Sequence, residues 1–275
     1  MPYFKKRRAY KKRSVKNYAR GGKKSSVVSS AVKKYVKRTI HKNIENKKVQ
    51  YVVNKNFGSV VASADMNIFP MMPLTGSMII EQNITQSGRV GNSINVRKCT
   101  LAYTLFPKPY DATTNAIPVP LEVQFFLGHV KRYKGTLPTA SDMGYLFQSG
   151  SSSSAPAGVL ADLIAPINTD HWRIFKTWRH KLGYANYTGT GNQATFQSMN
   201  NNDFKLNYTR KMDITKYCPK TVKFDDNLNT SNSNGLYLFY QCVSAVGSTL
   251  NAVTLPANIN FEVNLVQNNY KLTPN

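Results

Sequence analysis

The sequence predicts an all-β domain, a two-sheet sandwich, carried behind a strongly basic N-terminal arm. Three features predict it. From Val49 onward apolar residues recur mostly with period two in about eight short runs. Turn-forming stretches rich in Pro, Asn, Ser and Thr separate those runs, with only one short helical pattern among them. The positive charge is gathered ahead of the first run rather than spread through the body.

The arm comes first. The chain has 275 residues and a formal net charge of +24. Up to Lys48 there are 18 Lys/Arg against one acid, Glu45, or +17; the rest carries 19 against 12, or +7. Such asymmetry implies a polyanionic partner, nucleic acid or an anionic membrane surface. Lys5, Lys6, Arg7, Arg8, Lys11, Lys12, Arg13, Lys16, Arg20, Lys23 and Lys24 fall in one stretch that contains no acid. A segment so charged cannot bury enough apolar surface to offset its ordering entropy, so it is expected to be disordered on its own. Its cations are the first candidate nucleic-acid contacts, acting by counterion release. Tyr3, Phe4, Tyr10 and Tyr18 interleave with them, as base-stacking groups or as anchors of the arm to the body. The plainer alternatives are a solubilising tail or a nuclear-import signal alone.

Gly21-Gly22 closes that stretch, and a helical pattern follows over 26–46. Val28, Val32, Val36, Ile40 and Ile44 recur every four residues, while Lys33, Lys34, Lys37, Arg38 and Lys42 form a basic outer face of the helix and are candidate inner-surface cations. Ser25 or Ser26 is placed to cap it. The chain thus divides into a binding arm, 1–48, and a β body, 49–275.

Within the body, Val49–Phe57 and Ser59–Ser63 read as strand with a bend at Gly58, and Ile68–Gly76 as a loop broken by Pro70 and Pro73. Ile94–Phe106 alternates strongly; Val119–Lys131 is almost wholly apolar, as in a strand covered on both faces. Pro107–Pro120 is a loop, Pro138–Phe147 holds a short helix capped by Thr139 or Ser141, and Ser149–Ser154 is a surface loop. In Trp172–Leu182 the apolar set slips by one residue, since Trp172 and Ile174 compete with Phe175 and Trp178 for one face. Gly183–Asn202 reads as a long loop. Further strands are expected at Phe204–Ile214, Lys220–Phe224, Gly235–Ser244 and Asn258–Val266, with a turn cluster over Asp225–Asn234. This strand number and these long loops fit a two-sheet jelly roll.

Signatures of catalysis are missing from the sequence. There is no Gly-Lys-Ser/Thr phosphate loop, no Gly-x-Ser-x-Gly elbow and no pair of carboxylates at catalytic spacing. His41, His129, His171 and His180 are scattered; on one strand His171 and His180 would face opposite sides, and Asp170-His171 would point apart. Cys99, Cys218 and Cys242 show neither zinc spacing nor an even count, so reduced, packed thiols are expected. No metal, cofactor or membrane span is expected, and the chain is read as a non-enzyme. No secretory leader is expected, so the four Asn-x-Ser/Thr sequons are read as chance matches in an Asn-rich chain. Lys131, Arg132, Lys134, Arg173, Lys176, Arg179 and Lys181 form a second candidate set that would line an inner surface, against the plainer reading of solvated cations.

The order of these parts resembles a known family. A Tyr/Lys/Arg-rich arm leads into Arg89-Val-Gly-Asn-Ser-Ile94 just before a strand. A buried strand then ends at Gly128-His-Val130, followed by Pro138–Met143 and the basic-aromatic strand Trp172–Leu182. The layout is similar to the capsid proteins of circular, Rep-encoding single-stranded DNA viruses, the circovirus-like group. That resemblance implies a single eight-stranded jelly roll that self-assembles as a homo-oligomer into an icosahedral shell. It also implies an inward arm that binds the single-stranded DNA genome and engages the host nuclear import machinery, with virion and host nucleus as the locations. The arm departs from the family in favouring Lys over Arg, and counterion release alone does not discriminate DNA from RNA. The competing reading is a movement or nuclear shuttle protein that binds nucleic acid without assembling.

Overall fold

A computed structural model of the chain describes residues 29–43, 47–57, 68–72, 79–82, 87–89, 91–110, 113, 115, 118–131, 138, 140–188, 195–225, 231, 233–247 and 257–268. The chain separates into two compact units, Met1–Ile44 and Glu45–Asn275. In the first, helix α1 spans Ser30–Asn43. Its cap is Ser29, whose Oγ accepts the Val32 N–H at 3.2 Å, not the earlier serines expected from the sequence. Val32, Tyr35 and Val36 are exposed on this unit.

The second unit is built from antiparallel strands: β1 (Lys47–Phe57), β2 (Ile68–Pro70), β3 (Ser93–Pro107), β4 (Leu121–Val130), β5 (Phe147–Ser149), β6 (Ser152–Ser154), β7 (Trp172–Leu182), β8 (Tyr184–Thr188), β9 (Thr195–Met199), β10 (Tyr208–Asp213), β11 (Thr221–Lys223), β12 (Tyr237–Ser244) and β13 (Ala257–Asn268). One sheet runs β1-β13-β3-β10, with β11 paired to the other end of β3; the second runs β2-β12-β4-β7. β10 and β11 act as one interrupted strand, which leaves eight principal strands. Numbered along the chain, they stand 1-8-3-6 in one sheet and 2-7-4-5 in the other, so consecutive strands cross repeatedly between the sheets. That order is a jelly roll.

The two sheets face each other across a core of Leu101, Tyr103, Leu105, Val123, Phe125, Leu127, Leu238, Tyr240, Phe261 and Val263, among others. Among the described residues the first sheet is covered on this side only, and β3 accordingly alternates buried and half-exposed along much of its length. The second sheet is covered on both sides. Phe126, Tyr237, Phe239 and Trp172 point away from the first sheet into a second core with Met143, Leu146 and Phe147, supplied by the connection between β4 and β7. That connection carries the four-residue helix α2 (Ala140–Met143) and the β5–β6 hairpin. Asp162 ties it down: Oδ2 accepts the backbone N–H groups of Ala157 and Gly158 at 2.6 and 2.7 Å. The double covering explains why every residue of β12 is buried and why β4 lacks the alternation of β3.

Several sequence expectations change. Ile68–Pro70 is a strand rather than a loop, because β2 lies at the edge of its sheet and Pro70 ends it, where a missing N–H costs no central ladder bond. Gly183–Asn202 contains the β8–β9 hairpin, and Ser149–Ser154 contributes to the exposed β5–β6 hairpin. Ser59–Ser63 lies outside the described residues, as does most of Asp225–Asn234. The slip in Trp172–Leu182 is a β-bulge: Leu127 pairs Lys176 while Gly128 pairs Ile174, leaving Phe175 as the extra residue. Trp172 and Ile174 therefore pack in the outer core, and Phe175 and Trp178 in the inner one. Gly128 is required opposite the bulge, since a Cβ there would lie 2.5 Å from the Arg173 carbonyl oxygen.

Candidate nucleic-acid interface

Strand β7 is an edge of the second sheet and β10 an edge of the first, so the two line the same flank of the sandwich. An open edge exposes unpaired backbone groups, and cations and bulges are common means of protecting it. Here both occur, and the cations lie against aromatic rings.

At one end, the Arg173 guanidinium sits 5.4 Å from the Phe175 ring centre. Phe175 stacks on Tyr217 at 5.7 Å, and the Lys216 ammonium lies 4.8 Å over Tyr217. His129 meets the other edge of Phe175. Burial holds His129 below its ordinary pKa, helped by Arg173 and Lys131, so the ring adds no charge at neutral pH. Further along, Lys176 and Arg210 both lie over Trp178, at 5.8 and 5.9 Å. On the outer face, Lys181 covers Phe204 at 5.5 Å. Cation–π contacts of this kind orient each charge while leaving its outer side open to water or phosphate.

A polar cluster beneath this row fixes its geometry. Trp178 Nε1 donates to Tyr103 Oη at 2.8 Å, and the Arg210 side chain donates to the same oxygen. The Tyr103 hydroxyl has one proton, and His180 Nε2 lies 2.7 Å away. Tyr103 therefore donates to His180, whose Nε2 must be bare and whose Nδ1 carries the hydrogen. Burial, opposed by those two donors, raises Tyr103 above its ordinary value and keeps the proton on the phenol. Burial and then Arg210 lower His180 to about 4. Tyr208 packs 4.4 Å from the same imidazole. The cluster is neutral apart from Arg210, so the positive charge stays at the rim.

Acids are sparse along the row. Lys181 meets Glu122 at 3.9 Å, a loose exposed pair, and Asp203 lies near Tyr208. Beside the flank, where β10 gives way to β11, a pocket of about 520 Å³ is lined by Arg97, Lys216, Lys220, Thr215, Thr221 and Cys218, with no acid in its wall. The flank and this pocket present a positive surface that can hold phosphates. Its aromatic rings are already engaged by protein cations, so the surface offers charge without base selection.

The sequence candidates distribute unevenly. Lys5, Lys6, Arg7, Arg8, Lys11, Lys12, Arg13, Lys16, Arg20, Lys23, Lys24, Tyr3, Phe4, Tyr10 and Tyr18 lie outside the described residues, as do Arg132 and Lys134. Lys33 and Lys34 are exposed on α1, which also carries Lys37, Arg38 and Lys42. Arg173 and Lys176 join the flank; Lys181, two residues from Arg179 on the outer face, lies over Phe204 and meets Glu122. Arg179 does not join the flank either; its guanidinium turns to the outer side and donates to the Leu163 carbonyl of the covering connection. Arg97, Arg210, Lys216 and Lys220 were missed, because only the crossing of strands between sheets brings them beside β7. The alternation of Tyr208, Arg210 and Met212 was the one signal that placed Arg210 on the inward face.

The histidines resolve separately. His171 Nε2 lies 3.0 Å from Asp142 Oδ1 across the covering connection, far along the chain from its neighbour Asp170. Among the described residues no three His, Cys, Asp or Glu side chains are grouped to hold a metal ion. Among them, too, no helix is long and apolar enough to cross a membrane.

No family model matches the chain. No curated protein matches it either. Among solved structures it is similar to a chain of the mud crab tombus-like virus structure, at 13% identity and TM-score 0.24, covering 84% of this chain and 94% of that one. It is also similar to the Merkel cell polyomavirus VP1 unassembled pentamer, at 11% identity and TM-score 0.23, over 82% and 96%. Scores this low carry no functional inference, and the jelly roll rests on the strand order itself.

Proposed function

We propose that this chain is a capsid subunit that closes with copies of itself into an icosahedral shell around a single-stranded nucleic acid, DNA in the family it resembles. The observation that carries the reading is an eight-stranded jelly roll with one cationic flank, on the same chain as an acid-free arm of eleven cations. The body offers a rigid sandwich with broad sheet and loop surfaces for subunit contacts. The arm supplies most of the phosphate neutralisation, and the flank adds fixed positive charge where the chain leaves the second sheet. Neither discriminates bases, so selectivity resides in copy number and shell geometry. The same Lys/Arg run serves as the nuclear localisation signal.

The test is negative-stain microscopy with light scattering on the full chain, over a range of salt, with and without circular single-stranded DNA. Closed particles of uniform diameter are expected. Dispersed monomers under every condition overturn the proposal, and a small stable species with strong, salt-sensitive DNA binding replaces it with the shuttle protein.

A further inference from the structure

The sequence scatters its three cysteines, yet the fold brings two of them together. Cys99 lies in the middle of β3, fully buried; Cys218 follows the 3-10 turn Thr215–Tyr217 that joins β10 to β11. The segment between them is fastened at several points. Ile214 N–H donates to the Cys99 carbonyl at 2.9 Å, and Cys99 N–H donates to Thr215 Oγ1 at 2.8 Å. Cys218 N–H donates back to the Thr215 carbonyl at 3.1 Å. The Cys218 thiol donates to the Ile214 carbonyl oxygen at 3.5 Å and the Cys99 thiol to the Met71 carbonyl oxygen at 3.9 Å, and the two thiols are close enough to interact. Both cysteines are thus anchored to the same short run of backbone, Ile214 and Thr215.

Access is the second observation. Cys99 is sealed, but Cys218 is half-buried and lines the pocket of about 520 Å³ whose wall includes Arg97, Lys216 and Lys220. A small molecule that enters meets both positive charge and Cys218. Cys242 is buried in β12 and lines no part of that pocket.

We propose that Cys99 and Cys218 are a modification site, an intrachain dithiol that closes to a disulfide, and that the basic pocket admits anionic low-molecular-weight disulfides such as oxidised glutathione to it. In the first step the Cys218 thiolate attacks one sulfur of glutathione disulfide, and a glutathione thiolate leaves. In the second, the Cys99 sulfur attacks Cys218 in the mixed disulfide and displaces the second glutathione. The two thiol protons end on the two departing glutathiones; the protein loses two electrons and the oxidant gains them. The product would staple β3 to the β10–β11 connection across about 120 residues of chain. It would form where the surroundings are oxidising and stay open where glutathione is reduced. The inference stands apart from the shell reading, since it concerns the single subunit. The bond from Cys218 to Cys99, together with burial, pushes the Cys218 thiol far above its ordinary value, so exchange is slow at neutral pH and faster in mild alkali.

The experiment takes the full chain at pH about 8.5, incubates it with oxidised glutathione or with reductant, and then denatures it in maleimide for intact mass and peptide mapping. The reduced chain takes three maleimides; the oxidised chain should take one, at Cys242, with a 99–218 cross-linked peptide. Three labels after prolonged oxidation, a glutathione adduct that persists at Cys218, or a cross-link through Cys242 each overturn the pairing. The C99S variant should instead trap the glutathione adduct at Cys218. The K216A/K220A variant should slow oxidation by glutathione disulfide about tenfold at low salt, yet leave oxidation by neutral hydroxyethyl disulfide unchanged. Equal rates with both oxidants overturn the role of the pocket.

Discussion

Acid should loosen the subunit through His180. The ring sits half-buried between the sheets, accepts a hydrogen bond from Tyr103 at 2.7 Å and faces Arg210. Protonation would put a third donor against the Tyr103 oxygen, after Trp178 Nε1 and Arg210, and a second cation beside Arg210. These effects hold His180 at about 4, below the value of about 6.5 expected in an unfolded chain. Between those two pH values the unfolded chain binds a proton that the folded chain refuses, so stability falls as pH drops through this window. Above pH about 6.5 the ring is neutral in both states and contributes no slope; below about 4 the full penalty is in place. The shift corresponds to roughly 3 kcal/mol, which solvent screening at a partly exposed ring reduces to about 2. Urea unfolding of the dispersed subunit at pH about 7.5 and about 4.5 reads the effect. H180F should start lower at neutral pH, by about 1 kcal/mol for the unpaired Tyr103 hydroxyl, and then lose less on acidification than the parent. Equal losses for parent and variant would refute the assignment, as would a His180 imidazole resonance titrating near 6.5.

Other outcomes follow from the same contacts. Gly128→Ala places a Cβ 2.5 Å from the Arg173 carbonyl oxygen and 2.8 Å from Ile174 Cδ1, so it should distort the β4–β7 bulge and cost about 2 kcal/mol in urea unfolding. Phe125→Ala empties a buried site stacked on Trp178 at 5.4 Å and should cost about 3–5 kcal/mol by the same assay. The triple variant R173Q/K176Q/K216Q should weaken single-stranded DNA binding similarly for all sequences and lower the salt slope by about 2, with thermal unfolding little changed.

Much of the fold was legible because burial imposes simple patterns. The one-sided first sheet shows as strong alternation in Ile94–Phe106, strict from Cys99 onward, and the doubly covered second sheet as the apolar run of β4. Even the bulge at Phe175 was visible as a slip, although only the register against β4 identified the extra residue. Pro70 misled because the rule against strand proline applies to central strands, and edge position is a property of topology. The β8–β9 hairpin was hidden by its Gly/Asn/Thr composition, which suits turns as well as strands. The flank was half legible. Arg173 and Lys176 share β7 with their aromatic neighbours, whereas Arg210 arrives from a strand of the other sheet and Lys216 from the turn that follows it. No local pattern encodes that crossing. The Cys99–Cys218 contact was hidden for the same reason, since 118 residues of other strands and loops lie between them.

The most direct test is the salt dependence of single-stranded DNA affinity for the full chain and for a chain lacking Met1–Lys24. Eleven cations are removed, so the slope of log affinity against log salt should fall by about 8, leaving a folded body with a shallow residual slope from the flank. A truncated protein that keeps full affinity and the same steep slope would contradict the account, because the arm would then not be the element that binds.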